Sequence, residues 1–162
     1  MKIRYVDRFV ESDSPARVYR DLGLIEINLS RWLQLPKPYR DYILAHEEGH
    51  WALNTTDEMK ADEYAFKKLA GKAPYSLRNS ILTLYDVLPF TTPEQHRRLE
   101  AAELRALKYS ARNGNKEAMQ LYVERTGKNP DAFDGRKAGK NAWLFVLIII
   151  VIIWIIKNKA CL

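Results

Sequence analysis

Residues 142–156 are 15 consecutive apolar residues, and this run divides the chain into two materials. It holds 7 of the 12 isoleucines; of the other 147 residues 61 are apolar, and all 46 charges lie among them. As a helix the run spans about 22 Å, slightly short of the ~20 residues that usually cross a bilayer. A buried core helix is one reading. The other is a membrane-embedded tail, favoured because the run is apolar all round, Trp143 and Trp154 sit near its ends, and Lys157 and Lys159 follow at once. Lysine snorkelling and slight bilayer thinning cover the shortfall. The expectation is a lipid bilayer entered through 142–156 as a single-pass C-terminal anchor. With no secretory signal in residues 1–8, and with Arg136, Lys137 and Lys140 before the span, the body is expected in the cytoplasm.

The body is ordinary globular material. Its aromatic content and singly scattered prolines exclude disorder, and no repeat or heptad runs through it. One cysteine excludes an internal disulfide and a cysteine-based zinc finger. The net charge of +6 admits an anionic membrane or nucleic acid, but Lys67–Lys68, Arg97–Arg98 and Arg136–Lys137 are separate pairs, so a nucleic-acid partner is not expected.

Residues 2–6, 16–20 and 24–28 read as short strands, the last (Leu-Ile-Glu-Ile-Asn) alternating like a half-buried one, with a turn at Asp21-Leu22-Gly23. They predict a short N-terminal antiparallel sheet. Helices follow: a short one capped by Ser30, then 38–53, then 57–70 with Thr56 as cap and Gly71 as stop, then 75–87. Thr92-Pro93-Glu94-Gln95 is a strong start signal for a helix ending near Gly114, and 115–126 is the last. Residues 129–141 read as a linker. The expected organisation is a domain over 1–128, that linker, the apolar span 142–156 and a short tail 157–162.

The chemistry is concentrated in His46-Glu47-Glu48-Gly49-His50, where two of the three histidines fall. Residues i and i+4 stand one above the other on a helix, so both imidazoles can reach one zinc ion. Glu47 lies beside that face and can take a proton from an activated water, while Glu48 points elsewhere. A chance match to the HExxH pattern at this composition has a probability of about 0.4%. A surface helix that merely carries two histidines is the bland alternative. Against it, Tyr39, Ile43 and Leu53 share the stripe, predicting a buried face on which unpartnered imidazoles would be costly. A third protein ligand is required. Glu58 and Asp62, four apart on the next helix, return beside His50 and His46 respectively if the chain turns at 54–56. One carboxylate can ligate while the other orients a histidine. Glu58 can instead complete a capping box in Thr55-Thr56-Asp57-Glu58.

HExxH followed by Glu-x-x-Ala-Asp at 58–62 resembles the gluzincin metallopeptidases, family M48 in particular. The resemblance implies that Glu58 is the third zinc ligand and that Asp62 supports the site. Thr92-Pro93 with Arg98 and Leu99 is similar to that family's Thr-His-Pro segment, with Thr92 where the family has its histidine. Ala61-Asp62-Glu63-Tyr64-Ala65 also resembles the small ImmA-type peptidases, with Lys60 in place of their usual acidic residue. Seven residues separate His50 from Glu58, far fewer than family M48 usually has, so the domain implied is a minimal one.

The resulting expectation is an α+β, small zincin-like domain, its short sheet followed mostly by helices. Its function would be zinc-dependent hydrolysis of peptide bonds, with one Zn2+ on His46, His50 and Glu58, Asp62 behind them, Glu47 as general base, and a peptide or protein substrate. An oxyanion donor would come from Arg98, Tyr64 or Tyr75; His96 reads as a plain surface residue. The alternative is a membrane-anchored binding or structural module on the same scaffold that cleaves nothing. A weaker third reading is a basic surface after Thr92 that binds membrane or nucleic acid.

Overall fold

The computed structural model describes residues 1–73 and 76–131. The span 142–156, the tail 157–162, nearly all of the linker and Tyr75 lie outside the described residues. Within them the chain is α+β: a three-stranded sheet, then helices. Among the described residues no helix is long and apolar enough to cross a membrane.

The strands are β1 (Lys2–Val6), β2 (Ala16–Tyr19) and β3 (Leu24–Asn28), in the order β1-β3-β2. The sheet is mixed, not antiparallel as expected: β2 runs antiparallel to β3, but β1 runs parallel to it. The cause is the 7–15 connection. It crosses the C-terminal end of β3, where the Ser30 amide donates to the Asp7 carbonyl (3.1 Å) and the Asn28 amide to that of Pro15 (3.0 Å). That path places β1 and β2 on opposite flanks of β3. The β2–β3 connection is tight, one 3-10 turn at Arg20–Leu22 closed by Gly23 at φ +56°.

β3 is also not half-buried. Ile25 and Ile27 face the core, while Glu26 on the other face is covered by Arg4, Arg17 and Tyr19, which fold over it as ion-pair and hydrogen-bond partners.

After β3, Asn28 rather than Ser30 caps the single turn α1 (Leu29–Trp32); the Ser30 hydroxyl instead donates to the Asn28 side chain at 2.8 Å. The long helix α2 (Lys37–Ala52) starts at a proline and carries the HExxH residues. Next come α3 (Glu58–Leu69), capped by Asp57 rather than Thr56, α4 (Leu77–Val87), α5 (Pro93–Arg112) and α6 (Lys116–Thr126). The capping box at Thr92 and Gln95 is present as predicted. Pro130 is fully buried and its carbonyl accepts from Arg112 Nε at 2.7 Å, so the chain stays packed on the domain at the start of the expected linker.

Packing places α2 between two clusters. On one side Ile43 joins Ile25, Ile27, Ala16, Trp32 and Leu35 against the sheet. On the other Tyr42 and Ala45 join Ala65, Leu84 and Ala102 from α3, α4 and α5. The histidines stand in the wall between. Gly49 sets how close α3 comes, since a Cβ there would lie 3.1 Å from both Ala61 Cα and Tyr64 Cβ.

Candidate metal centre

His46 and His50 are both buried, as the apolar stripe on α2 predicted. Leu53, expected on the same face, is exposed, because α2 ends at Ala52 and Asn54 turns the backbone away at φ +45°. The two rings meet edge to face, with centroids 4.6 Å apart and Nε2 to Nε2 at 3.0 Å.

The hydrogen bonds behind the rings fix which nitrogen is bare. His50 Nδ1 lies 2.9 Å from the Thr55 carbonyl oxygen, which can only accept, so Nδ1 carries the proton. His46 Nδ1 donates likewise to Asp62 Oδ1 at 2.8 Å. In the neutral rings both Nε2 lone pairs therefore face each other, an arrangement that calls for a proton or a cation between them.

Glu58 completes the group. It begins α3, and the turn at 53–57 swings it over the histidines, with Oε2 3.3 Å from His46 Nε2 and Oε1 3.5 Å from His50 Nε2. It is not the third residue of a capping box, because the cap is Asp57, whose side chain accepts from the Met59 and Lys60 amides and makes Glu58 the first residue of the helix. Among the described residues, these three form the group able to hold a metal ion.

Their fit to zinc can be tested on length. Tetrahedral ligands about 2.05 Å from a zinc ion lie about 3.3 Å from one another. The observed separations of 3.0, 3.3 and 3.5 Å bracket that edge. Two imidazoles, one carboxylate and an open fourth position are also the donor set of catalytic rather than structural zinc.

Asp62 is fully buried and supports the group from behind. Besides His46, it accepts from Tyr42 (3.3 Å) and from Arg98 through Nε (2.8 Å) and Nη2 (3.0 Å). Arg98 also reaches Glu58 Oε2 with Nη1 at 2.7 Å. One guanidinium thus ties together the carboxylate among the rings and the one behind them. Burial raises the pKa of Asp62, but hydrogen bonds from His46 and Arg98 outweigh it and hold the group at about 2. Burial opposes charge on His46 too, yet hydrogen bonds to Asp62 and Glu58 raise its pKa to about 9 in the metal-free chain. Glu58 is held far below the usual carboxylate range, its desolvation overcome by the two histidines and Arg98.

Glu47 sits next to this group, half-buried, with its pKa raised chiefly by burial and further by Glu58, against the pull of both histidines and the Val18 amide of β2. The site opens into a cleft of about 760 Å³. One wall is the outer edge of β2 with the 12–15 loop; the other includes Val87 and Leu88. Because the Asn28 amide donates to Pro15, residues 15, 17 and 19 bond to β3, and the backbone groups of Ala16 and Val18 point outward. Ser14 Oγ occupies the Ala16 carbonyl, leaving a short strand edge beside the metal group.

The oxyanion candidates fare differently. Arg98 is buried and bound to Asp62 and Glu58. Tyr64 donates its hydroxyl to Glu48 at 2.8 Å, on the side of α3 away from the cleft. Tyr75 lies outside the described residues. His96 is exposed, and Thr92 is a helix cap that does not line the cleft. What the sequence reading missed was the clamp: Arg98 follows a capping box on a highly charged helix, and only the apolar spacing of Ala102 and Ala106 after it marks that face as inward.

Comparison with known proteins returns no match: no family model, no curated protein and no solved structure is significantly similar to the chain.

Proposed function

We propose that this chain is a zinc-dependent metallopeptidase held at a membrane by its apolar segment 142–156. The observation that supports this most is the set of three donor atoms at tetrahedral-edge spacing, with a carboxylate that is not a donor beside them and a strand edge along the cleft.

His46, His50 and Glu58 would hold the ion; Asp62 and the Thr55 carbonyl keep the bare ring nitrogens pointed at it. The chemistry zinc supplies when held so is Lewis-acid polarisation of a carbonyl and acidification of water. Glu47, beside the three donors and not one of them, would take the proton of the attacking water and pass it to the departing amine. The outward Ala16 amide and Val18 carbonyl of β2, the two groups not taken by Ser14 and Glu47, can pair with an extended substrate and lay its scissile bond across the site.

A second reading, the non-cleaving module, is favoured by one observation: two of the three oxyanion candidates are engaged elsewhere. The deciding experiment is Glu47→Gln in the full chain, with zinc content and hydrolysis of unfolded protein measured together. The expected result is full zinc content and turnover reduced roughly 10²–10⁴-fold. A wild type that holds zinc but cleaves nothing assigns the module instead.

A further inference from the structure

Three contacts gather distant parts of the sequence onto one surface at the turn end of the sheet. The Lys2 amide donates to the Gly23 carbonyl at 2.7 Å. Gly23 lies under the Trp51 indole, so close that a Cβ there would sit 3.4 Å from Nε1. Arg20 Nη1 donates to Asn54 Oδ1 at 3.3 Å, just past the end of α2. The start of β1, the β2–β3 turn and the C-terminus of α2 are therefore neighbours.

What this surface displays is unusual for one meant to face water. Ile3 pairs with Ile25 and so shares the helix-facing side of the sheet with Trp51, but among the described residues it is only half covered. Ile3 is 47% exposed, Tyr5 57%, Leu22 69% and Trp51 42%, and Leu53 follows at 49%. The Trp51 N–H finds no acceptor among the described residues. Around these lie Lys2 and Arg20, against the carboxylate of Asp21, while Arg4 on the opposite face of β1 is paired with Glu26. Contiguous exposed apolar side chains with a cationic rim mark an interaction site.

We propose that this face docks on an anionic lipid bilayer. Trp and Tyr rings suit the headgroup level, where an indole has apolar contact on its body and an acceptor for its N–H. Isoleucine and leucine enter the boundary beneath, and lysine or arginine near anionic headgroups strengthens the attraction. A second copy of the chain fits less well, since joining two β1 edges brings Lys2 and Arg4 of both copies together. The docked face adjoins the site, because Arg20 and Thr55, at its border, also line the cleft. A substrate would then be met at the lipid surface. The inference stands on this face alone and holds whether or not the site turns over.

Hydroxyl-radical footprinting of the full chain tests it, read by mass spectrometry in phosphatidylcholine vesicles with and without phosphatidylserine, and in detergent micelles. Trp51 and Tyr5 report on the face; Met119 and Tyr85, also exposed, are the controls. In phosphatidylserine vesicles the oxidation of Trp51 and Tyr5 should fall roughly threefold to tenfold relative to micelles, with Met119 and Tyr85 unchanged. High salt should weaken the protection. Leu22→Glu, at a position exposed enough to spare the fold, should abolish it. Equal oxidation in vesicles and micelles overturns the proposal. So does equal protection of Met119 and Tyr85, or protection already present in micelles that grows with protein concentration, which would assign a second copy to this face.

Discussion

Two buried carboxylates, Asp62 and Glu26, are held in nearly the same way and lead to different ends. Each is almost inaccessible, each accepts from a tyrosine hydroxyl, and each is met by arginine. Glu26, however, is surrounded by Arg4, Arg17 and Tyr19, side chains whose outer ends lie in solvent and offer no further valence. Asp62 is partnered by His46, whose second nitrogen faces the cleft and can take either a proton or a metal ion. A buried acid closes a network in one place and aims a ligand in the other. The difference lies in what the partner can still bind, not in the acid or its burial.

That contrast can be broken by substitution. The largest effect is expected at Glu58, whose loss removes a donor atom itself. Glu58→Ala should lower zinc affinity by well over the roughly 100-fold typical of losing an orienting partner. Glu26→Ala should leave affinity within about threefold while lowering the melting temperature, because its arginines lose their acid. Zinc titration of both variants decides; equal zinc loss in the two would dissolve the distinction.

Next is Arg98. Arg98→Met leaves Asp62 buried without its guanidinium and should cost about 3–5 kcal/mol of stability in denaturant melts. Arg4→Met, on the partly exposed pair of Glu26, should cost only about 0–1 kcal/mol. Similar costs would mean that the two networks are energetically alike. Asp62→Ala should follow, with zinc affinity weakened about 10–100-fold and not abolished. An empty site in that variant would make Asp62 the ligand.

The smallest effect concerns pH. Asp62, at about 2 against roughly 3.9 when unfolded, contributes stability above about pH 4 that is lost as pH falls through 2. Glu26, also lowered, adds to the same acid limb. His46, at about 9 against roughly 6.5, contributes stability below about pH 6.5 that is lost as pH rises through 9. The metal-free chain should thus be most stable between about pH 4 and 6.5. Zinc should erase the alkaline limb alone, because the ion replaces the proton on the rings. Melting curves across pH, with chelator and with zinc, measure this; an alkaline limb that persists with zinc would separate it from the site.

The fold and the site were legible in the sequence to different depths. All three strand positions and the long helices were readable, because local propensity, prolines and caps set them. Partners were not. Alternation in Leu-Ile-Glu-Ile-Asn marks Ile25 and Ile27 as inward, but whether β1 runs with or against β3 depends on the path of the 7–15 loop. Glu26 read as solvent-facing because arginines and a tyrosine from two other strands provide its cover. Asn28 and Ser30 are both good caps two residues apart, and the structure uses one to orient the other. In the site, i, i+4 spacing on two successive helices was enough to bring His46, His50, Glu58 and Asp62 together. Arg98 was singled out by its place after Thr92-Pro93, but its charge suggested a donor to substrate, whereas it binds the carboxylates.

Gly49 gives the site a gauge. With no side chain between α2 and α3, the two backbones press nearly into contact, and the donor atoms on them stay within 3.5 Å of one another. His46 and His50 both stand on α2, so the approach of α3 decides only how far Glu58 reaches over them. A side chain at position 49 would lever apart two helices that have almost nothing between them to give way, and would draw that carboxylate off the rings. The closing of the triad is thus written in a residue that is not one of its donors.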